Sequence, residues 1–185
     1  MYSKIVAICG MPGSGKGEIS KFAKENKIPV LSMGDMIRAE SEKRGMEETP
    51  GNIGFVAVLL RQEFGEQILA ERLVPHIEQL SNTLEPIIMI EGMRGTAEAE
   101  IFQNKWKGKF SILAIKSDEE IRWQRIRLRG RGEDGSRDDF VVRNLREKKW
   151  GLGDLIDNAD YEINNNSTLG DLKQRFQTWL SSIKA

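Results

Sequence analysis

Apolar residues in this chain fall into short continuous runs, and these alternate with longer stretches in which apolar positions recur every three to four residues. The segments expected to be buried strands are residues 4–9, 28–32, 86–91, 110–116 and 160–164. Runs of that length without polar alternation read as strands covered on both faces. Helical periodicity fills about 15–26, 34–44, 97–105, 118–129, 137–150 and 168–183, with two further helices between 52 and 80. Segment 45–54, which contains Pro50-Gly51, reads as a turn. This alternation predicts an α/β fold, a five-stranded parallel sheet with helices on both faces in three layers. Ligands of such sheets bind beyond the carboxyl ends of the strands, so the residues that follow each strand carry the chemistry.

Composition narrows the picture. With 185 residues, 39% of them hydrophobic, the chain is long enough for one domain over residues 1–185 but not for two. Lys plus Arg and Asp plus Glu number 28 each, a net charge of zero that argues against a general nucleic-acid binder relying on a basic field. No apolar run approaches the ~20 residues of a membrane span, and the first strand begins almost at Met1, so a cytoplasmic protein without anchor or leader is expected. Cys9, the only cysteine, lies in an apolar run and reads as a packed thiol. His76 is the only histidine and reads as structural, because it has no second ligand of its kind.

The run Gly10-Met11-Pro12-Gly13-Ser14-Gly15-Lys16-Gly17 directly follows the first strand and opens a helix. Glycines let the backbone approach an anion, helix-opening amides point at it, and Lys16 adds a mobile charge for the outer phosphates. The pattern G-x-x-x-x-G-K in that setting is a specific sign of a nucleoside triphosphate site. Where the pattern ends in Ser or Thr, whose hydroxyl ligates Mg²⁺, this chain has Gly17 followed by Glu18. Metal must therefore be held mainly through water and by carboxylates elsewhere.

Three further constellations follow later strands. Asp35 and Arg38 are spaced i, i+3 at a helix start and can face the sheet's carboxyl edge, or form a plain surface ion pair. Glu91 ends the third strand in Glu91-Gly92-Met93-Arg94, a position from which a carboxylate can hold metal through water. Arg122, Arg125 and Arg129 share one helix face, with Arg131 and Arg137 beyond. They either serve a triphosphate or form a solvated face with Glu119, Glu120, Glu133, Asp134, Asp138 and Asp139. The Arg-, Gly- and Asp-rich stretch of about 127–139 reads as a short lid.

The phosphate loop resembles that of adenylate kinases, G-x-P-G-x-G-K-G-T, with Glu18 in place of the threonine. Ser32-Met33-Gly34-Asp35-Met36-Ile37-Arg38 is similar to their S-T-G-D-M-L-R, which implies that Arg38 binds acceptor phosphate and Asp35 orders Mg²⁺. Glu91-Gly92-Met93-Arg94 stands where they have D-G-F-P-R, with Glu for Asp and one residue fewer; the resemblance gives Arg94 to the acceptor and Glu91 to the metal's water shell. It makes Arg122 and Arg125 the preferred lid arginines, with Arg143 a third candidate. Ala159-Asp160-Tyr161-Glu162-Ile163-Asn164-Asn165 is similar to the A-D-x-x-I-x-N run of dephospho-coenzyme A kinases, which puts adenine beside residues 164–167; an Asn-rich turn accounts for it equally well.

These motifs span nearly the whole chain, which resembles a largely archaeal group of P-loop proteins related to both kinases. The resemblance implies a nucleoside monophosphate kinase-like P-loop fold that binds ATP and Mg²⁺. The γ-phosphoryl group would pass to a nucleotide-like acceptor, a nucleoside monophosphate in preference to dephospho-coenzyme A. Lys16, Asp35, Arg122 and Arg125 would be catalytic, and residues 45–80 would form a helical flap over the acceptor. The other reading is a nucleotide-dependent switch or assembly ATPase that works through a protein or RNA partner.

Overall fold

The computed structural model describes residues 3–82, 86–129 and 135–184. Strands β1 (Lys4–Cys9), β2 (Val30–Ser32), β3 (Ile87–Glu91), β4 (Phe110–Lys116) and β5 (Tyr161–Asn164) form one sheet in the order β2-β3-β1-β4-β5, every pair parallel. The phosphate-loop strand β1 is central and buried on both faces, which is why its sequence has no polar alternation. Parallel pairing puts all five carboxyl ends on one edge. Its register sets Glu91 of β3 between Ile8 of β1 and Ser32 of β2.

Helices cover both faces. On one, Ile5, Ala7 and Cys9 pack with Ile88 and Ile90 under helices α2 (Met33–Lys43), α3 (Pro50–Phe64), α4 (Ile68–Ser81), α5 (Thr96–Lys105) and α8 (Leu152–Asp157). On the other, Val6, Ile8, Met89 and Leu113 meet Ile19 and Phe22 of α1 (Lys16–Glu25) and Phe176 and Leu180 of α9 (Leu169–Lys184). Alternate residues of β1, β3 and β4 thus feed two separate cores. Helices α6 (Glu119–Arg129) and α7 (Arg137–Lys149) add Ile126 and Phe140 as buried residues.

Residues 50–81 share the first core, since Val56, Leu60, Leu69, Leu73 and Ile77 pack in one cluster with β1. Glu40 of α2 accepts hydrogen bonds from Arg44 and from Arg72 of α4, and Arg44 reaches Glu63 of α3. Those two arginines hold the Glu40 carboxyl below its ordinary range.

Three local expectations change. The turn expected at 45–54 ends at residue 49, because Thr49 caps α3 by accepting from the Asn52 amide at 3.2 Å and Pro50 opens the helix, where its missing N–H loses nothing. The helix expected over 137–150 is followed by a second one, α8, after Gly151, whose φ of +95° breaks the run. The second strand, expected over 28–32, pairs only over Val30–Ser32. Of the lid expected at 127–139, residues 130–134, with Arg131, Glu133 and Asp134, lie outside the described residues. His76 is exposed on α4. No helix among the described residues is long and apolar enough to cross a membrane.

Candidate phosphate-binding site

The loop from Gly10 to Gly17 passes between the carboxyl end of β1 and the start of α1. At Gly13 (φ +81°) an added Cβ would lie 2.6 Å from the Arg122 carbonyl, and at Gly15 (φ +102°) it would strike the Asn165 amide. Neither position tolerates a side chain, so the loop backbone packs against the Arg122 backbone at Gly13 and against the Asn165 side-chain amide at Gly15. Two side chains fix this shape. Arg122 Nη1 donates to the Pro12 carbonyl at 2.9 Å, and Asn165 Nδ2 donates to the Ser14 carbonyl at 2.8 Å.

Inside the loop, Ser14 Oγ is buried and has no hydrogen-bond partner among the described residues. A buried hydroxyl of that kind is rare in native structures and fits a loop shaped to receive an anion. Lys16 Nζ donates to the carbonyls of Gly10 and, at 3.1 Å, Met11. Burial draws the Lys16 ammonium down to about 8, with Arg94 and Arg143 acting in the same direction and Glu147 pulling it back up. Glu18 is paired with Lys21 at 2.8 Å.

Two arginines share the surroundings of Lys16. Arg94 stands in the loop after β3, where the buried Glu98 carboxylate accepts from the Arg94 amide at 2.8 Å and the Gly95 amide at 3.1 Å. Its Nε is buried and has no partner among the described residues. Arg143 lies on α7. Both meet Glu147, which is 1% exposed: Arg143 Nε donates to Oε1 at 3.1 Å, and Arg94 Nη1 is 3.7 Å from the same oxygen. Burial alone would raise the Glu147 carboxyl; Arg94, Lys16 and Arg143 together hold it below its ordinary value.

The remaining sequence candidates take other positions. Arg122, 5% exposed, has its guanidinium committed to Pro12 O, Ser117 O and Asn144 Oδ1, so it braces the phosphate loop from beneath. Burial lowers it from its ordinary value. Arg125 donates to the Asn165 and Ser167 carbonyls at 2.9 and 3.3 Å and so fixes the loop after β5. Asp35 and Arg38 form an exposed ion pair, with Glu48 3.7 Å from Arg38. Glu91 accepts a hydrogen bond from Ser20, one turn beyond Gly17 on α1, which ties the third strand's terminal carboxylate to the phosphate-loop helix. Among the described residues no group of three or more His, Cys, Asp or Glu could hold a metal ion.

The sequence alone missed Glu147 and the side chain of Asn165. Glu147 falls within Arg-Glu-Lys-Lys, which has the look of a solvated surface. Its signal was position: Phe140, Asn144 and Glu147 lie at i, i+4, i+7 and form the buried face of α7.

Comparison with known proteins agrees with this fold. A family model described as an AAA domain matches residues 9–140, from the end of β1 into α7. The chain is 38% identical over 181 residues to a UPF0200 protein of the archaeon Pyrococcus horikoshii, covering 97% of each. The crystal structure of TT1252 from Thermus thermophilus superposes with a TM-score of 0.61 at 21% identity, over 98% of both chains. Shikimate kinase from Bacteroides thetaiotaomicron does so with a TM-score of 0.57 at 17% identity, over 96% of this chain and 98% of that one. At these identities the two structures establish a shared P-loop kinase-like fold, and the sequence match does more: the chain belongs to the UPF0200 family.

Proposed function

We propose that this protein is an ATP-dependent phosphotransferase acting on a small nucleotide-like acceptor, a nucleoside monophosphate in preference to a dephospho-coenzyme A-like hydroxyl. The observation that carries the reading is the convergence of Lys16, Arg94 and Arg143 beside two buried polar atoms, Ser14 Oγ and Arg94 Nε, that have no partner among the described residues. Cations so arranged suit a phosphoryl group in flight, whose charge spreads over three equatorial oxygens. In the reaction an acceptor oxygen forms a bond to the γ-phosphorus. The bond to the β–γ bridging oxygen breaks, and its electron pair leaves with the diphosphate. Mg²⁺, when bound with the nucleotide, screens the β- and γ-phosphates; Glu91 and Asp35 are the carboxylates we assign to its water shell.

In this reading Gly10–Glu18 cradle the phosphates, Lys16 contacts the outer ones, Arg38 holds the acceptor, and Arg94 stands between the acceptor and the phosphoryl group that passes to it. Arg122 and Arg125 serve transfer by fixing the phosphate loop and residues 165–167. A phosphate acceptor is already ionised at neutral pH and needs no base.

One observation favours the switch reading. Val141, Val142 and Leu145 of α7, with Leu128 of α6, present exposed apolar side chains on both sides of residues 130–134. The two readings separate in one assay: ATP consumption with and without a panel of nucleoside monophosphates and dephospho-coenzyme A. A phosphotransferase shows acceptor-dependent ADP release matched mole for mole by phosphorylated acceptor. A slow basal rate that no acceptor changes supports the switch.

A further inference from the structure

We propose that Glu147 is a positioning residue, a buried carboxylate that keeps Arg94 and Arg143 on station over the phosphate loop for the phosphoryl group being transferred. The inference rests on the phosphotransferase reading and deepens it. Helix α7 buries two polar side chains, Asn144 and Glu147, beside Phe140, while Val142 and Leu145 are 62% and 60% exposed. A buried carboxylate carries a desolvation penalty of several kcal/mol, so its burial needs a purpose that an amide or apolar side chain could not serve. The same helix supplies the comparison. Asn144, one turn earlier, holds Arg122 at 2.8 Å with a neutral amide, and that suffices for a brace.

Glu147 differs in what it joins. Arg143 comes from α7 and Arg94 from the loop after β3, two elements that meet at a single oxygen, Oε1. Lys16 lies close enough for its charge to be felt. Three cations share one carboxylate, which leaves an excess of positive charge for an anionic phosphoryl group. Arg94 Nε remains for that group to engage. Without the carboxylate the arginines would close on whichever phosphate lies nearest in the ground state, which tightens binding and slows transfer.

Glu147→Gln keeps the shape and removes the charge. Calorimetric titration with tripolyphosphate, free of any turnover, should give at least about fivefold tighter binding than the native protein. Steady-state kinetics should give a lower KM for ATP and a kcat reduced at least about tenfold, with melting temperature and circular dichroism unchanged. Glu147→Asp, which retains the charge, should bind tripolyphosphate within about twofold of the native protein and recover part of kcat. Native kcat and native tripolyphosphate affinity in Glu147→Gln overturn the proposal. So does a joint loss of affinity, kcat and melting temperature, the mark of a structural brace. If Glu147→Gln does not fold, an Asp variant that binds tripolyphosphate as tightly as expected for Gln overturns it too. Absence of ATP turnover in the native protein would refute the phosphotransferase reading alone, and the tripolyphosphate arm would still decide what Glu147 does to the arginines.

Discussion

Lys16 is held between burial, which disfavours its charge, and the attraction of Glu147, which restores it, with the balance at about 8. A bound polyanion stabilises the ammonium, so the occupied site keeps a proton that the free site sheds as pH rises through 8. Affinity is therefore full below pH 8 and lost above it. Tripolyphosphate binding should weaken about tenfold between pH 7 and pH 9, measured by calorimetry. Lys16→Ala should bind weakly and without that pH dependence; a native affinity that stays level across the window would remove Lys16 from the anion site. Gly17, exposed in the first turn of α1, has nothing within 4 Å of an added Cβ. Gly17→Ser should thus stabilise the helix by about 0.5 kcal/mol, read as a rise in melting temperature. It should also lower the Mg²⁺ needed for half-maximal nucleotide binding by restoring a hydroxyl ligand. Single residues were also where the sequence was hardest to read. Spacing put Arg122 and Arg125 on one helix face, but it could not reveal that backbone carbonyls of distant loops take their donors. It put Glu147 among lysines without showing that the chain turns it inward.

Among the elements, those with long apolar patterns were legible and those defined by a single residue were not. Pro50-Gly51 reads as a turn until Thr49 is seen to cap the helix, and six-residue α8 is too short to carry a period of its own. Contacts between helices lie further still from the sequence. Arg61 of α3 is buried against Glu98 of α5 at 2.8 Å and stacks over Trp150 at 4.9 Å. Since Glu98 also receives the Arg94 and Gly95 amides, this pair links α3 to the loop that carries Arg94. Arg61→Met leaves the carboxylate buried without its countercharge, and breaking such a pair costs about 3–5 kcal/mol. Urea denaturation should register that loss. A change below about 1 kcal/mol would instead place the link at the level of an exposed pair.

For the molecule as a whole, the apolar runs of β1, β3 and β4 were enough to predict the parallel sheet, because a strand covered on both faces has no solvent side to encode; the fifth strand, expected to be buried too, is instead an edge strand with only Ile163 buried. Strand order was not legible, since it depends on which helices cover which face. The central strand that fixes that order also holds Cys9, completely buried, whose thiol burial pushes up to about 12. Its depth makes it a clock. A thiol reagent such as Ellman's should label none of the native protein at first and one equivalent in denaturant. The slow native rate then measures how often the middle of the sheet opens to solvent. A ligand that binds only the folded state must slow that rate by the factor 1 + [L]/Kd. Timing Cys9 with nucleotides and polyphosphates therefore ranks ligands for this protein with no attached probe, no turnover and no choice of acceptor.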